Sequence, residues 1–257
     1  MENASLVGLS RQVALERELA VIANNIANLN TTGFKGDGAI FEEFLSTDAR
    51  AGSLSGKDAR ISFVQDRATW HDLSQGPIQQ TGNPLDVAVQ GNGFLVVQTA
   101  RGERYTRNGS LQINATGQLV TSDGDQVLGD AGPITFQTTD QKISISAEGT
   151  ISVKEGANGA VSSLRGKLRL VTFANAANLQ KDGSSTFAAK NNEQPIADQK
   201  SHIIQGAVEK SNVRGVVEIT RMIEVTRSYQ TVANLLQQQS DLRQNAIDKL
   251  AEMPAAA

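Results

Sequence analysis

Leu15-Glu16-Arg17-Glu18-Leu19-Ala20-Val21-Ile22-Ala23-Asn24-Asn25-Ile26-Ala27-Asn28-Leu29 sets Leu15, Leu19, Ile22, Ile26 and Leu29 at intervals of four, three, four and three. Aliphatic side chains at that spacing share one stripe of an α-helix, the a/d rhythm of a coiled-coil seam. Leu6, Leu9 and Val13 continue an apolar face one phase shift earlier. Residues 9–32 hold no Gly or Pro, the strongest helix breakers. The stretch predicts a helix of about 25 residues, roughly 38 Å long. Gly33 is expected to end it in a left-handed conformation, and Phe34 to pin the following chain to an apolar surface. Asn24, Asn25 and Asn28 carry short amides suited either to capping the helix end or to bridging subunits.

Outward from this stretch, Gly and Pro are distributed unevenly. Of the 23 glycines, 22 lie between Gly33 and Gly215, with four of the five prolines, and residues 216–253 hold neither. The chain therefore reads as helix, long broken middle, helix. The second helix is predicted from Val216 to Glu252, with Ser211 and Asn212 as cap candidates. Its apolar face includes Ile219, Met222, Ile223, Val225, Tyr229, Val232, Leu235, Leu236, Leu242 and Leu250, interrupted by glutamines 237–239. A single stripe on so long a helix buries too little to offset the ordering of its backbone. It needs a partner: the N-terminal helix in a hairpin, or other subunits. The assembly seam is assigned to Leu15, Leu19, Ile22, Ile26 and Leu29 with Ile219, Ile223, Tyr229, Val232 and Leu236.

The middle reads as strands at Leu85–Val89, Gly93–Thr99, Leu111–Asn114, Gln118–Thr121, Lys142–Ser146, Thr150–Lys154, Lys167–Phe173 and His202–Val208. Turn signals separate them at Gly82-Asn83, Asn108-Gly109, Asp123-Gly124, Asn158-Gly159 and Asp182-Gly183. Ile113, Ala115, Gly117 and Leu119 match Ile145, Ala147, Gly149 and Ile151, which reads as two similar hairpins. Residues 36–60, rich in Gly, Ser, Ala and Asp, read as a flexible connector. The expected organisation is an assembly helix over 1–35, a connector over 36–75, a β-rich domain over 76–208 and an assembly helix over 209–257. The expected fold class is α+β, with the long terminal helices paired as a coiled coil and a central β-rich domain.

Composition narrows the chemistry. The 257 residues hold 24 Lys plus Arg against 27 Asp plus Glu, a net charge of −3, which disfavours a nucleic-acid partner. There is no cysteine, so disulfides, thiolate metal sites and Cys nucleophiles are excluded. No apolar run approaches the ~18 residues of a membrane span, so no membrane insertion is expected. The opening Met1-Glu2-Asn3 lacks the basic start of a cleaved secretory signal. His71 and His202 have no neighbouring ligand types. Gly91-Asn92-Gly93 lacks the third glycine of a dinucleotide loop, because Val96 stands there. Asp123-Gly124-Asp125 reads as a turn, since Val127 occupies the next calcium-ligand position. No catalytic, cofactor-binding or metal-ligating residues are assigned. A wall-cleaving hydrolase would need a positioned carboxylate pair, and a binding module built on the β domain would not need helices at both ends.

Three separated motifs carry a resemblance. The first is Asn24-Asn25-Ile26-Ala27-Asn28-Leu29-Asn30-Thr31-Thr32-Gly33-Phe34-Lys35. The second is Thr81-Gly82-Asn83-Pro84-Leu85-Asp86-Val87-Ala88-Val89, followed by Gly91 to Phe94 and by Tyr105-Thr106-Arg107. The third is Glu209-Lys210-Ser211-Asn212-Val213, then Met222-Ile223-Glu224 and Arg227-Ser228-Tyr229-Gln230. In this order they resemble the signature of flagellar basal-body rod and hook proteins. Val7-Gly8-Leu9-Ser10 and Leu15-Glu16-Arg17-Glu18 are similar to the proximal-rod, FlgF-type branch, with the distal rod subunit as the neighbouring alternative. The signature residues are Asn24, Asn25, Ala27, Asn28, Thr32, Gly33, Phe34, Gly82, Asn83, Pro84, Leu85, Asp86, Ser211, Asn212 and Val213. The resemblance implies a structural, non-enzymatic subunit with paired terminal helices in an inner tube and a β-rich domain outside. It implies copies of itself and other rod subunits as partners. It also implies export by the flagellar type III apparatus without a cleaved signal, and a place in the rod across the periplasm.

Overall fold

The computed structural model describes residues 2–46, 61–155, 161–183, 185–190 and 193–251. The expected turn at Asn158-Gly159 and the side chain of Leu250 lie outside the described residues. Two helices bracket the chain, α1 over Glu2–Ala27 and α2 over Gly215–Ala251. Between them the described residues form strands and tight turns, apart from a 3-10 turn at Ala176–Asn178. The chain divides into two compact units. One comprises the described residues of Met1–Ile26, Asp37–Trp70 and Arg214–Ala257; the other comprises Ala27–Gly36 and His71–Val213. The close of the first motif thus belongs with the β-rich unit. The stretch expected as a connector carries two strands, Asp37–Ser46 and Ile61–His71, paired with each other.

In the helical unit α1 and α2 run antiparallel, but the expected coiled coil is not formed. A seam of that kind requires aliphatic side chains interlocking along both helices. Of the ten residues assigned to it only Ile22 is buried, and Ile219 and Ile223 are 49% and 48% exposed. Leu29 lies past the end of α1 altogether. Polar tips join the helices instead. Gln12 Nε2 donates to the Tyr229 hydroxyl at 2.9 Å, Arg221 Nη2 meets Glu18 Oε1 at 2.7 Å, and the Ser5 hydroxyl reaches Gln239 Oε1 at 3.3 Å. At these positions polar residues stand where apolar knobs would have to insert, while Leu236 packs over Gly8. From Asp241 to Lys249 every residue of α2 is exposed.

The β-rich unit is built from antiparallel pairs. Its largest sheet runs through Leu179–Lys181, Thr186–Ala189, Gly102–Thr106, Phe94–Thr99, Gln126–Gly129, Leu119–Thr121 and Leu111–Ile113 in that spatial order. A three-stranded sheet of Asp140–Ile145, Thr150–Glu155 and Val161–Lys167 shares its core: Leu95, Val97, Leu111 and Leu119 pack with Ile145, Ile151 and Val153. A second apolar cluster sets Phe94, Tyr105, Phe173 and Phe187 edge to face, with ring centroids 4.7 to 6.1 Å apart. The internal repeat is realised as two equivalent hairpin turns. Gly117 and Gly149 take φ of +80° and +86°, and each closes its turn by donating its N–H to the carbonyl three residues earlier.

Two short ladders close the unit. Val87–Gln90 pairs with His202–Gln205, and Ile78–Gln80 pairs with Ala207–Glu209. Each therefore joins the early part of the unit to its last strands.

Candidate functional site

The last strand ends on Glu209, and its carboxylate is fully buried. Oε1 accepts from Lys35 Nζ at 2.5 Å and from the Gly76 N–H at 2.8 Å; Oε2 faces Arg107 Nη1 at 3.4 Å. Lys35 is equally buried and donates also to the Ser74 carbonyl at 2.6 Å. Arg107 donates through Nη2 to the Gly91 carbonyl at 2.7 Å, and its guanidinium lies 4.8 Å above the Phe94 ring. Burial holds the Lys35 ammonium below the usual lysine range, and Glu209 only partly opposes this. Burial lowers Arg107 in the same way, again opposed by Glu209. Two cations and one anion share a site closed to water, so each relies on its partners' geometry.

The motif residues converge around this cluster. Gly33, with φ of +68°, donates its N–H to the Glu209 carbonyl at 2.8 Å. It lies well past the end of α1, so it does not stop the helix as expected. It instead lets two backbones touch: a Cβ at Gly33 would stand 2.3 Å from Asn108 N and 2.4 Å from the Arg107 carbonyl carbon. Phe34 is buried beneath Lys181, whose Nζ sits 3.7 Å from the ring centroid.

Asn212 does not cap α2 but forms a knot. Its Oδ1 accepts from the Gly36 N–H at 2.8 Å, and its Nδ2 donates to the Asp72 carbonyl at 2.7 Å. Asp72 N–H donates in turn to the Gly36 carbonyl at 2.9 Å. Gly36, Asp72 and Asn212 all lie within two residues of places where the chain passes from one unit to the other. One amide side chain thus joins three separate segments of the β-rich unit.

Other signature residues have more local tasks. Asn25, expected as a cap or a subunit bridge, pairs with the Asp37 backbone. Its Nδ2 donates to the carbonyl at 2.8 Å and its Oδ1 accepts from the N–H at 2.9 Å. Asn28 accepts the Thr31 hydroxyl, while Ala27 is exposed and Thr32 half-buried. Asp86 accepts from the Thr81 hydroxyl at 2.6 Å and from Asn83 Nδ2 at 3.0 Å, which shapes the turn holding Gly82, Pro84 and Leu85. Gly206 N–H donates to the Asp86 carbonyl, tying that turn to the last strands. Ser211 is buried, and its hydroxyl accepts from the Val213 N–H. His71 packs edge to face on Phe187 and His202 is exposed.

Lys35, Arg107 and Glu209 stood within the quoted motifs, but sequence reasoning assigned them no task. The signal available was that each ends or opens a motif; their meeting was not legible from positions 174 and 102 residues apart.

A FlgF basal-body rod protein of Caulobacter vibrioides is 38% identical over 256 residues, covering 98% of this chain and 100% of the relative. The chain belongs to the flagellar basal-body rod protein family. The FlgF rod protein of Mesorhizobium japonicum is 33% identical over 97% of this chain and 98% of its own length. The FlgG rod protein of Bacillus subtilis is 32% identical over 94% and 96%. Three family models match in order: the flagella basal body rod protein over residues 6–35, the flagellar hook protein FlgE/F/G D1 domain over 88–153, and the flagellar basal body rod FlgEFG protein C-terminal over 204–249. Each matched segment of this rod-family chain supplies one member of the buried cluster, namely Lys35, Arg107 and Glu209.

Proposed function

We propose that the chain is a structural, non-enzymatic subunit of the bacterial flagellar rod, of the proximal FlgF type, assembling with copies of itself and other rod subunits. The observation that carries this reading is the similarity to a FlgF rod protein over 98% of this chain and 100% of the relative. Physical support comes from the helices. Leu6, Leu9 and Val13 on α1 and Val216, Ile219, Ile223 and Leu242 on α2 are each about half exposed or more. Aliphatic side chains left open on both helices suit burial against neighbouring subunits. Head-to-tail contacts of this kind that do not close into a ring build a tube. The subunit reaches its place in the rod, across the periplasm, through the flagellar type III apparatus, and there transmits motor torque toward the hook.

The test is electron microscopy of basal bodies from a strain lacking this gene, with antibody labelling after complementation. Truncated rods in the deletion and label on the proximal rod after complementation are expected. Intact rods without label would overturn the reading.

A further inference from the structure

The buried cluster has an order in sequence. Lys35 and Arg107 lie in the first 107 residues, whereas Glu209 arrives 102 residues after Arg107. Until it does, both cations have only carbonyl partners: Ser74 for Lys35, and Val89 and Gly91 for Arg107. Glu209 is the one carboxylate hydrogen-bonded to either cation among the described residues. Asp72 and Asp198, the other acids that face them, are engaged by the N–H groups of Ser74, and of Lys200 and Ser201. Taking two like charges out of water without an anion costs several kcal/mol per ion.

The backbone carries the same dependence. Among the described residues, Val87–Gln90 has His202–Gln205 as its only ladder partner, and Ile78–Gln80 has Ala207–Glu209. Val87 and Val89 lie in the main apolar cluster with Leu95, Val97 and Ile203, so the core is not filled until the last strands dock. Gly76 provides their seat. A Cβ at Gly76 would stand 2.0 Å from the Lys210 carbonyl oxygen, and its N–H donates to Glu209.

We infer that residues 202–209 are the closing element of the β-rich unit, and that Glu209 acts as a completion switch. The two buried cations of the earlier chain keep the unit open until this carboxylate neutralises them. A chain emerging N-terminus first then has no finished β-rich unit until residues 202–209 are available, and folding of residues 87–106 is locked to their arrival. Pairing across so large a sequence separation is slow by itself; the charge cluster makes it obligatory.

Pulse-labelled hydrogen exchange during refolding of the full chain tests this, read over residues 87–90, 94–106 and 202–209. All three segments are expected to gain protection with rate constants equal within about twofold, as in one cooperative step. Protection of 94–106 ahead of 202–209 overturns the inference. In Glu209→Gln, native-state protection should fall together in all three segments by roughly two to three orders of magnitude. Adding Lys35→Met to that variant removes one uncompensated cation and should restore about tenfold of the loss. A fall confined to 202–209, or no recovery in the double variant, overturns the switch. Neither outcome depends on rod assembly.

Discussion

Gly33→Ala should cost about 2–5 kcal/mol of stability in the β-rich unit. Two effects add. The residue sits at φ of +68°, where an L side chain costs roughly 1–2 kcal/mol. The new methyl would also lie 2.3 Å from Asn108 N, 2.4 Å from the Arg107 carbonyl carbon and 2.7 Å from its oxygen. These are backbone atoms, and Arg107 carries the buried guanidinium, so the neighbour cannot swing aside as a flexible side-chain tip would. Overpacking of this kind typically costs a further ~1–3 kcal/mol. The molecule supplies its own control. Gly82 takes φ of +75° with nothing within 4 Å of the Cβ position, so Gly82→Ala should cost only the conformational share, about 1–2 kcal/mol. Urea unfolding of both variants, followed by far-ultraviolet circular dichroism, measures the difference. Equal losses would refute the close approach of the two backbones and leave Gly33 as an ordinary left-handed turn residue.

Three further outcomes are expected. Lys35→Met leaves Glu209 buried with Arg107 at 3.4 Å and the Gly76 N–H, and should lower stability in chemical denaturation by about 3–5 kcal/mol, the cost of breaking a buried pair. Ile219→Asp combined with Ile223→Asp alters half-exposed positions, so the isolated chain should lose about 1.5–3 kcal/mol and stay folded. The same variant should fail to enter basal bodies and abolish swimming, and normal motility would sink the assembly face. Arg165 donates to Asp140 through Nε at 2.7 Å and through Nη2 at 2.5 Å, and holds that carboxyl below its ordinary value. The folded value lies below the unfolded one of about 3.9. Asp140 therefore contributes stability above that pH and loses it as pH falls through the folded value. In Arg165→Leu, nuclear magnetic resonance titration should find Asp140 shifted back up toward ~3.9, with less stability lost on acidification.

The site is a buried set of contacts rather than a pocket: its three charges, the Gly33 backbone contact and the Asn212 knot all lie within the β-rich unit. The contacts are drawn from residues 33–36, 72–76, 107–108 and 209–212, so short motifs spread along the chain meet in one place.

Several features were legible in the residues alone. The absence of Gly and Pro over 9–32 and 216–253 located both helices, because both residues are disfavoured in a helix interior. Alternating apolar residues and Gly-containing turns located the strands around Phe94, Leu111, Leu119, Ile151 and Ile203, since the pleat repeats every two residues. The Ala-x-Gly repeat even identified two equivalent hairpin turns. Less legible were the strands Asp37–Ser46 and Ile61–His71, whose neighbourhood of Gly, Ser and Asp reads locally as a loop. The coiled-coil pairing of the helices is overturned for a related reason: spacing says which residues share a stripe, but not what lies opposite. Ile219 and Ile223 share a stripe and still face outward, while Gln12 and Glu18 sit between the helices. The sequence by itself thus determined the helices, most of the strands, several of the turns and the family, all of which depend on neighbours a few residues away. Only the tertiary structure decided that Lys35, Arg107 and Glu209 meet, that Gly33 touches the Arg107 backbone and that Asn212 joins three segments of the chain. Burial and electrostatic pairing depend on distance in space, and no local period encodes a contact across 174 residues.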